Sequence, residues 1–445
     1  MEGLKPYQEY RDSGFIAIPE VPSHWGVERF GAIARLATKR NCDDIHREML
    51  SLSAYRGIEI KQYVDKRLAR HKEESLNYWV VEPGQLVVNP MWVIEGSIGV
   101  SRHHGIVSPA YRVYNLHGNV LPDYCDLLVR SHFYITEYNR YVRGPTTYDR
   151  SVRKNDFHQI PFLVPPITEQ HAIINFLINK LAEIDRLIAA RQRMVELLQE
   201  LRTVIISRAV TRGLNPNVKL KPSGIEWLGE IPEHWEIIKL KYISHSLQTG
   251  PFGSQIHSGE YMPGGIPLIN PSHLVNGQIK SDTQCAVNRE AYFKLSRHIL
   301  NEGDIVLARR GEMGRCALVS KSEAGWLCGS GSMRIRPNNS KIYSVLLQAI
   351  ISTQSIKTRL QLESVGTTMD NLNATIVGNI PIPVPAIPEQ EPIAENIKNV
   401  EKEYYRLVSQ LTNIINFTQE YRATLISAVV TGKIDVRDSS SQGAI

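Results

Sequence analysis

Two short motifs in this 445-residue sequence carry side chains of the kind that handle a nucleobase or a nucleoside cofactor. Asn89-Pro90-Met91-Trp92 combines an amide, a stiff turn and an aromatic ring, the parts that hold an extruded adenine. Cys328-Gly329-Ser330-Gly331 has the small residues of a loop that closes on S-adenosylmethionine. Methyl transfer needs that glycine loop between a strand and a helix. Here Met333-Arg334-Ile335-Arg336-Pro337 follows, which alternates like a strand and then breaks. The two motifs also lie in different halves of the chain, so an intrinsic DNA methyltransferase is the weakest reading. A nuclease needs carboxylates and a lysine gathered around a metal ion. Asp123 has no acidic-x-Lys downstream in its segment, and His103-His104 has no Cys or carboxylate at ligand spacing. The sequence therefore nominates no catalytic residue and no metal ligand.

Polar and basic residues that follow apolar runs point instead to reading a duplex. In the first half these are Asn89, Ser97, Ser101, Arg102, Tyr148 and Arg150. In the second they are Ser254, Gln255, Arg309, Arg310, Arg315, Thr367 and Thr368. Arginine suits bidentate contact with guanine, and an amide suits adenine. Half or more of the hydrogen bonds in such interfaces go to the phosphate backbone, so only part of this set is expected at base edges.

The chain that must position these residues is written twice. Ser13-Gly14 through Pro22-Ser23-His24-Trp25 returns as Ser223-Gly224 through Pro232-Glu233-His234-Trp235, displaced by 210 residues. Val164-Pro165 leading to Glu169-Gln170 returns 220 residues later as Val384-Pro385 leading to Glu389-Gln390. Gln199-Glu200-Leu201-Arg202 returns at the same interval as Gln419-Glu420-Tyr421-Arg422. A period this long is a duplicated domain with its connector. Two like modules suit a partner that is itself nearly two-fold, such as duplex DNA. His24-Trp25 and His234-Trp235 resemble base stackers, yet after proline in a repeated frame they read better as buried anchors.

Both connectors read as long helices. Ile393, Ile397, Val400, Tyr404, Leu407, Leu411, Ile414, Thr418, Tyr421, Leu425 and Ala428 recur every four, then three residues. The same phase in the first connector gives Ile173, Leu177, Lys180, Ile184, Leu187, Arg191, Met194, Leu198, Leu201 and Ile205. That is a heptad seam. Prolines and Thr168, as N-cap, mark the starts, and Gly213 and Gly432 mark the ends. At 1.5 Å per residue each seam is about 50 Å long. With a whole domain between them, the two can pair antiparallel.

Between the repeated blocks run short β-rich segments such as Leu86-Val87-Val88 and Ile305-Val306-Leu307, with helical stretches at 121–136 and 342–360. The fold class is α+β: two similar globular domains separated by two long antiparallel coiled-coil helices, as a pseudo-two-fold repeat. The loops differ between copies, as two readers of different targets would. Hydrophobic content of 42% and charged content of 22% are those of a soluble domain protein. The net charge of +6 permits a polyanion without demanding one. Five cysteines without close pairing read as reduced thiols. With no apolar run long enough for a membrane and no signal-peptide core, a cytoplasmic location is expected.

Residues 231–235 (Ile-Pro-Glu-His-Trp), Val384-Pro385 with Glu389-Gln390, and Ser427 through Lys433 resemble the specificity subunits of type I restriction-modification enzymes, in order and along essentially the whole chain. Asn89-Pro90-Met91 with Gly105 through Tyr111 resembles one subtype of target-recognition domain. The resemblance implies target-recognition domains at 1–165 and 214–385, spacer helices at 166–213 and 386–433, and a disordered tail at 434–445. It implies a non-catalytic subunit that reads a bipartite double-stranded DNA target. Two methyltransferase subunits would dock on its helices, joined by motor-nuclease restriction subunits. S-adenosylmethionine and ATP would be held by those partners. Arg212-Gly213 departs from the Gly432-Lys433 pattern only at the local turn. The rival reading is a coiled-coil scaffold whose globular domains bind proteins.

Overall fold

A computed structural model of the chain describes residues 5–16, 18–42, 47–53, 56–62, 76–142, 150–251, 255–282, 284–364 and 371–438. It separates into two compact units. One comprises residues 1–192 with 412–445, and the other residues 193–411.

In the first unit a four-stranded antiparallel sheet runs in the order Ala34–Leu36, Arg112–Leu116, Leu86–Val88, Ile98–Val100. The alternation of the Leu86-Val87-Val88 run decides its two faces. Leu86, Val88, Ile98 and Tyr114 enter the main core, while Val87 and Val113 face a smaller cluster with Val81 and Val107. Helix Pro122–Val129 closes the main core with Tyr124, Cys125, Leu128 and Val129. The helical stretch expected over 121–136 is broken after Val129. Ser131 accepts a hydrogen bond from the Tyr134 N–H and starts a new helix, His132–Asn139. Strand Pro161–Val164 pairs with Gly26–Arg29, tying the domain's end to its start.

The second unit repeats this plan strand for strand: Ser244–Thr249, Ser332–Pro337, Ile305–Ala308, Cys316–Leu318. Ile305, Leu307 and Ile335 take the place of Leu86, Val88 and Tyr114. Its expected helix over 342–360 is likewise two helices, Ser344–Ile351 and Gln354–Ser364. Strand Pro381–Val384 closes on Glu236–Lys239. A further sheet of Ala286–Val287, Tyr261–Ile269 and Leu327–Cys328 includes one parallel pairing.

The long helices are Ile167–Arg212 and Ile387–Val430. The first begins one residue before Thr168, so Thr168 lies inside its first turn, and the Pro166 carbonyl accepts from the Glu169 and Gln170 N–H groups. Gly213 and Gly432 both adopt φ +73, the left-handed turn that ends a helix. Within the second unit, Arg202 forms a bidentate ion pair with Glu401, and Gln199 accepts from the Tyr404 hydroxyl. These matched pairs run in opposite directions along the two segments, which is antiparallel pairing. Within the first unit, Arg422 bonds Asp185 at 2.9 Å, and Ile173, Leu177 and Ile184 share a core with Leu425 and Val429.

The expected heptad phase holds on the second helix from Ile393 to Leu411 and again at Leu425, and on the first at Ile173, Leu177, Ile184, Arg191 and Leu198, with the alternate positions displaced. Leu187, Met194, Leu201, Ile205, Ile414 and Tyr421 are exposed. The positions turned inward on the first helix are 173, 177, 181, 184, 188, 191, 195, 198, 202, 206 and 210. From 177 to 202 they step by four and three in turn, a heptad whose second position lies one residue after the expected one, and steps of four follow one another only at the two ends.

Of the disordered tail expected at 434–445, residues 434–437 are instead held against the first unit, and 439–445 lie outside the described residues. Ile434 and Val436 join the main core, Asp435 bridges to Lys5, and the Arg437 guanidinium lies over the Tyr7 ring. Among the described residues, no helix is long and apolar enough to cross a membrane.

Candidate nucleic-acid interface

Each globular frame is fastened to the start of a long helix by the repeated residues. Trp25 Nε1 donates to Glu169 Oε2 at 2.9 Å, and His24 Nε2 meets the same oxygen at 2.8 Å. Trp235, His234 and Glu389 repeat both distances. Both indoles are buried, so Trp25 and Trp235 are anchors and not stackers, while His24 and His234 are exposed, contrary to the expected burial, and are held by the same carboxylates. Gln170 accepts from the Leu121 N–H and donates to the carbonyls of Asn119 and Pro165. Gln390 does the same with Tyr343, Lys341 and Pro385. A side chain at Gly213 would press on Trp235 and Glu389, and one at Gly432 on Pro22 and Trp25. The repeated blocks are therefore a latch, and the loops that it holds are the parts that differ.

The clearest difference is the loop after the third strand of each four-stranded sheet. In the first domain the Asn89 N–H donates to the Ser97 carbonyl, and Asn89 Oδ1 accepts from the Met91 N–H. Val93 is buried, whereas Met91 and Trp92 are each 47% exposed. Arg150 reaches Glu95 of this loop at 3.5 Å. Asn89, Ser97 and Arg150 are thus brought together. Ser101 is not part of this group: it is buried, and its hydroxyl donates to the His103 carbonyl. Arg102 is exposed and paired with Asp123 at 3.0 Å.

In the second domain the matching loop exposes Arg310, Gly311 and Glu312. Arg309 is 7% exposed. Its Nε donates to the Leu372 carbonyl at 2.5 Å, and burial pushes its guanidinium pKa down. It staples the loop and is turned away from any partner. Arg315 is half-buried and 3.5 Å from Glu312, and Gln255 is exposed. Tyr148, Ser254, Thr367 and Thr368 lie outside the described residues. Arg309→Ala is expected to cost about 1–3 kcal/mol of stability by leaving buried carbonyls without a donor. Arg310→Ala is expected to leave the melting curve in place and weaken DNA binding. Parallel denaturation and gel-shift titrations would check this, and the opposite ranking would refute the assignment.

The sequence reading missed a basic rim on the first domain's small sheet, Trp79–Val81 with Gly105–Val107. Lys39 bonds Glu82 at 2.7 Å and holds its carboxyl below the usual range, with His104 and Arg47 adding to the effect. The Arg40 guanidinium stacks 3.3 Å over Trp79. The adjacent Lys39-Arg40 pair was the available signal. The rejected cofactor loop lies between strands Leu327–Cys328 and Ser332–Pro337, with no helix after it. Among the described residues, no three His, Cys, Asp or Glu side chains gather as metal ligands.

Residues 232–416 match the family of the type I restriction modification DNA specificity domain. The type I restriction enzyme MjaVIII specificity subunit of Methanocaldococcus jannaschii is 24% identical over 291 residues, 64% of this chain and 65% of that relative. The chain thus aligns with just under two thirds of that relative's length. The type I restriction enzyme EcoBI specificity subunit of Escherichia coli is 23% identical over 262 residues, 56% of this chain and 55% of that one. Among solved structures, a chain from work on complex assembly and conformational transition of the type I R-M system superposes with a TM-score of 0.67. It is 14% identical, with 93% of this chain and 99% of that chain covered, and supports the fold.

Proposed function

We propose that the chain is a type I restriction-modification specificity subunit that reads a bipartite DNA target and catalyses nothing itself, a reading supported by its match to that DNA specificity domain at 232–416 and its similarity to two specificity subunits. Residues 1–165 and 214–385 are the two readers, and the paired helices set the unread gap. One observation carries this reading: one frame and one latch occur twice, while the loops they hold differ in charge and shape. Each base pair read contributes about 1–3 kcal/mol of discrimination, so one small reader is too permissive for a genome. Two readers on one strut multiply their selectivity because the second engagement is intramolecular.

The partners follow from the helices. Met194, Leu197 and Leu201 form an exposed apolar stripe at i, i+3, i+7, and Ile414, Phe417 and Tyr421 repeat it 220 residues later. Apolar stripes facing solvent are partner surfaces. The same stripe twice supports two copies of one partner, a methyltransferase subunit, with restriction subunits joining them. S-adenosylmethionine and ATP are held on those partners.

The test is selection from a random DNA library by the chain reconstituted with its methyltransferase subunits, as wild type and with seven residues removed from each helix. Seven residues are about 10.5 Å and return the helix to within about 20° of its phase. The expected result is one two-part motif whose halves persist while the gap shortens by about three base pairs. Binding should fall steeply with salt. Indifference to DNA would support the protein-binding scaffold, and an unchanged gap would remove the spacer role.

A further inference from the structure

We propose that Trp92, backed by Met91, is an apolar wedge that enters a base step of the duplex. The first domain then reads its half of the target partly by deforming it, and the second domain does not. This rests on the DNA-reading function above and adds its mode.

Four observations converge on the turn at 89–97. First, two large apolar side chains stand in solvent at adjacent positions, Met91 and Trp92, each about half exposed. Second, the turn that carries them is stiff. The Trp92 N–H donates to the Asn89 carbonyl at 3.1 Å, and the Trp92 carbonyl accepts from Glu95 and Ser97, both at 3.0 Å. The Val93 side chain is fully buried just behind, and Gly96 takes φ +89 to close the turn. A tip already ordered loses little freedom on binding.

Third, the surroundings are cationic and not apolar. The Val152 N–H donates to the Pro90 carbonyl at 3.0 Å, which ties the segment with Arg150, Arg153 and Lys154 to the turn. Arg112 Nη1 donates to the Val152 carbonyl at 2.9 Å from the other side. Against these stand Glu95, already paired with Arg150, and Asp156. An aromatic rimmed by cations fits a polyanion with stackable bases better than it fits an apolar protein face. Fourth, the matching turn of the second domain exposes Arg310, Gly311 and Glu312, with no aromatic. A carboxylate there is repelled by phosphate and cannot enter the stack, so the wedge belongs to one half-site only.

The experiment uses the full chain assembled with its methyltransferase subunits on the selected target, with 2-aminopurine placed in turn at each step of both halves. Wild type should raise the fluorescence at one step in one half and at none in the other. Trp92→Ala should abolish that signal and weaken DNA binding about ten- to hundredfold, with partner assembly intact. Trp92→Phe should restore most of both. Wild type showing no unstacking in either half overturns the wedge while leaving DNA reading in place. So does Trp92→Ala binding the target as wild type does. Loss of a methyltransferase subunit from Trp92→Ala would make the tip a protein contact and also overturn it. Failure of wild type to select any DNA sequence sinks the underlying function, a separate result. If Trp92→Ala is poorly folded by its melting curve, Trp92→Phe and Met91→Ala carry the comparison: full signal in Met91→Ala together with none in Trp92→Phe would contradict an apolar wedge.

Discussion

Glutamate at Leu197 and Leu201 is expected to remove one of the two methyltransferase subunits from the assembled complex, and glutamate at Phe417 and Tyr421 to remove the other. All four side chains are exposed in the chain itself, with Phe417 at 70%. The substitutions should therefore shift its stability by no more than about 0.5 kcal/mol. Two carboxylates in the middle of an apolar contact cost far more, since large anchors there contribute about 2 kcal/mol or more each. Affinity for the partner should fall at least a hundredfold at the altered stripe. Native mass spectrometry of the reconstituted complex would count subunits: two for wild type, one for either pair, none for all four. Two subunits retained by either pair of changes would place the docking surface elsewhere. Loss of both subunits from one pair would show that the stripes are not independent.

Trp235→Ala should be the most damaging single change to the second unit. The indole is fully buried, sits against Gly213, and donates to Glu389. Truncating a buried tryptophan costs about 3–5 kcal/mol through lost burial and a cavity. Glu389→Ala should cost less, about 1–3 kcal/mol, because the indole stays in place and only loses its acceptor. The same pair of changes at Trp25 and Glu169 should act in the first unit in the same order. Denaturant midpoints of the four variants would check the ranking, and a glutamate variant weaker than its tryptophan counterpart would reverse the roles given to ring and carboxylate.

What could be read from residues alone divides along physical lines. The duplication, both long helices and the burial of Trp25 and Trp235 were legible, because repeated blocks and helical periodicity are local properties of the chain, whereas His24 and His234 stay exposed beside them. The seam was legible along most of the second helix and at alternate positions of the first. On the first helix one of the two seam positions in each heptad falls one residue later than the apolar pattern suggests, so Leu201 looks like a seam residue but faces solvent while Arg202 takes the seam, and Tyr421 and Arg422 trade places in the same way on the second. The breaks at Ser131 and Ser352 were not legible, since the flanking apolar spacing continues through them. Among proposed DNA contacts, the composition of a loop was visible but the direction of its side chains was not. Arg309 carries the right charge, yet its direction is set by the carbonyl of Leu372, far away in sequence. The basic rim around Glu82 was hidden for the same reason, being assembled from three separate segments.

The bridge between Lys5 and Asp435 has a topological consequence. In the second unit, residues 213–219 lead covalently from the end of one long helix into the strand Leu220–Pro222. In the first unit, the matching junction is made by the Asp435 N–H donating to the Lys5 carbonyl at 2.8 Å, with no peptide bond between them. One half thus has a covalent seam where the other has a hydrogen-bonded one. A short linker from beyond Arg437 to the residues before Lys5, with the backbone opened in the exposed stretch 214–217, would give a circular permutant that keeps Val436 in its core and carries the two domains in exchanged order.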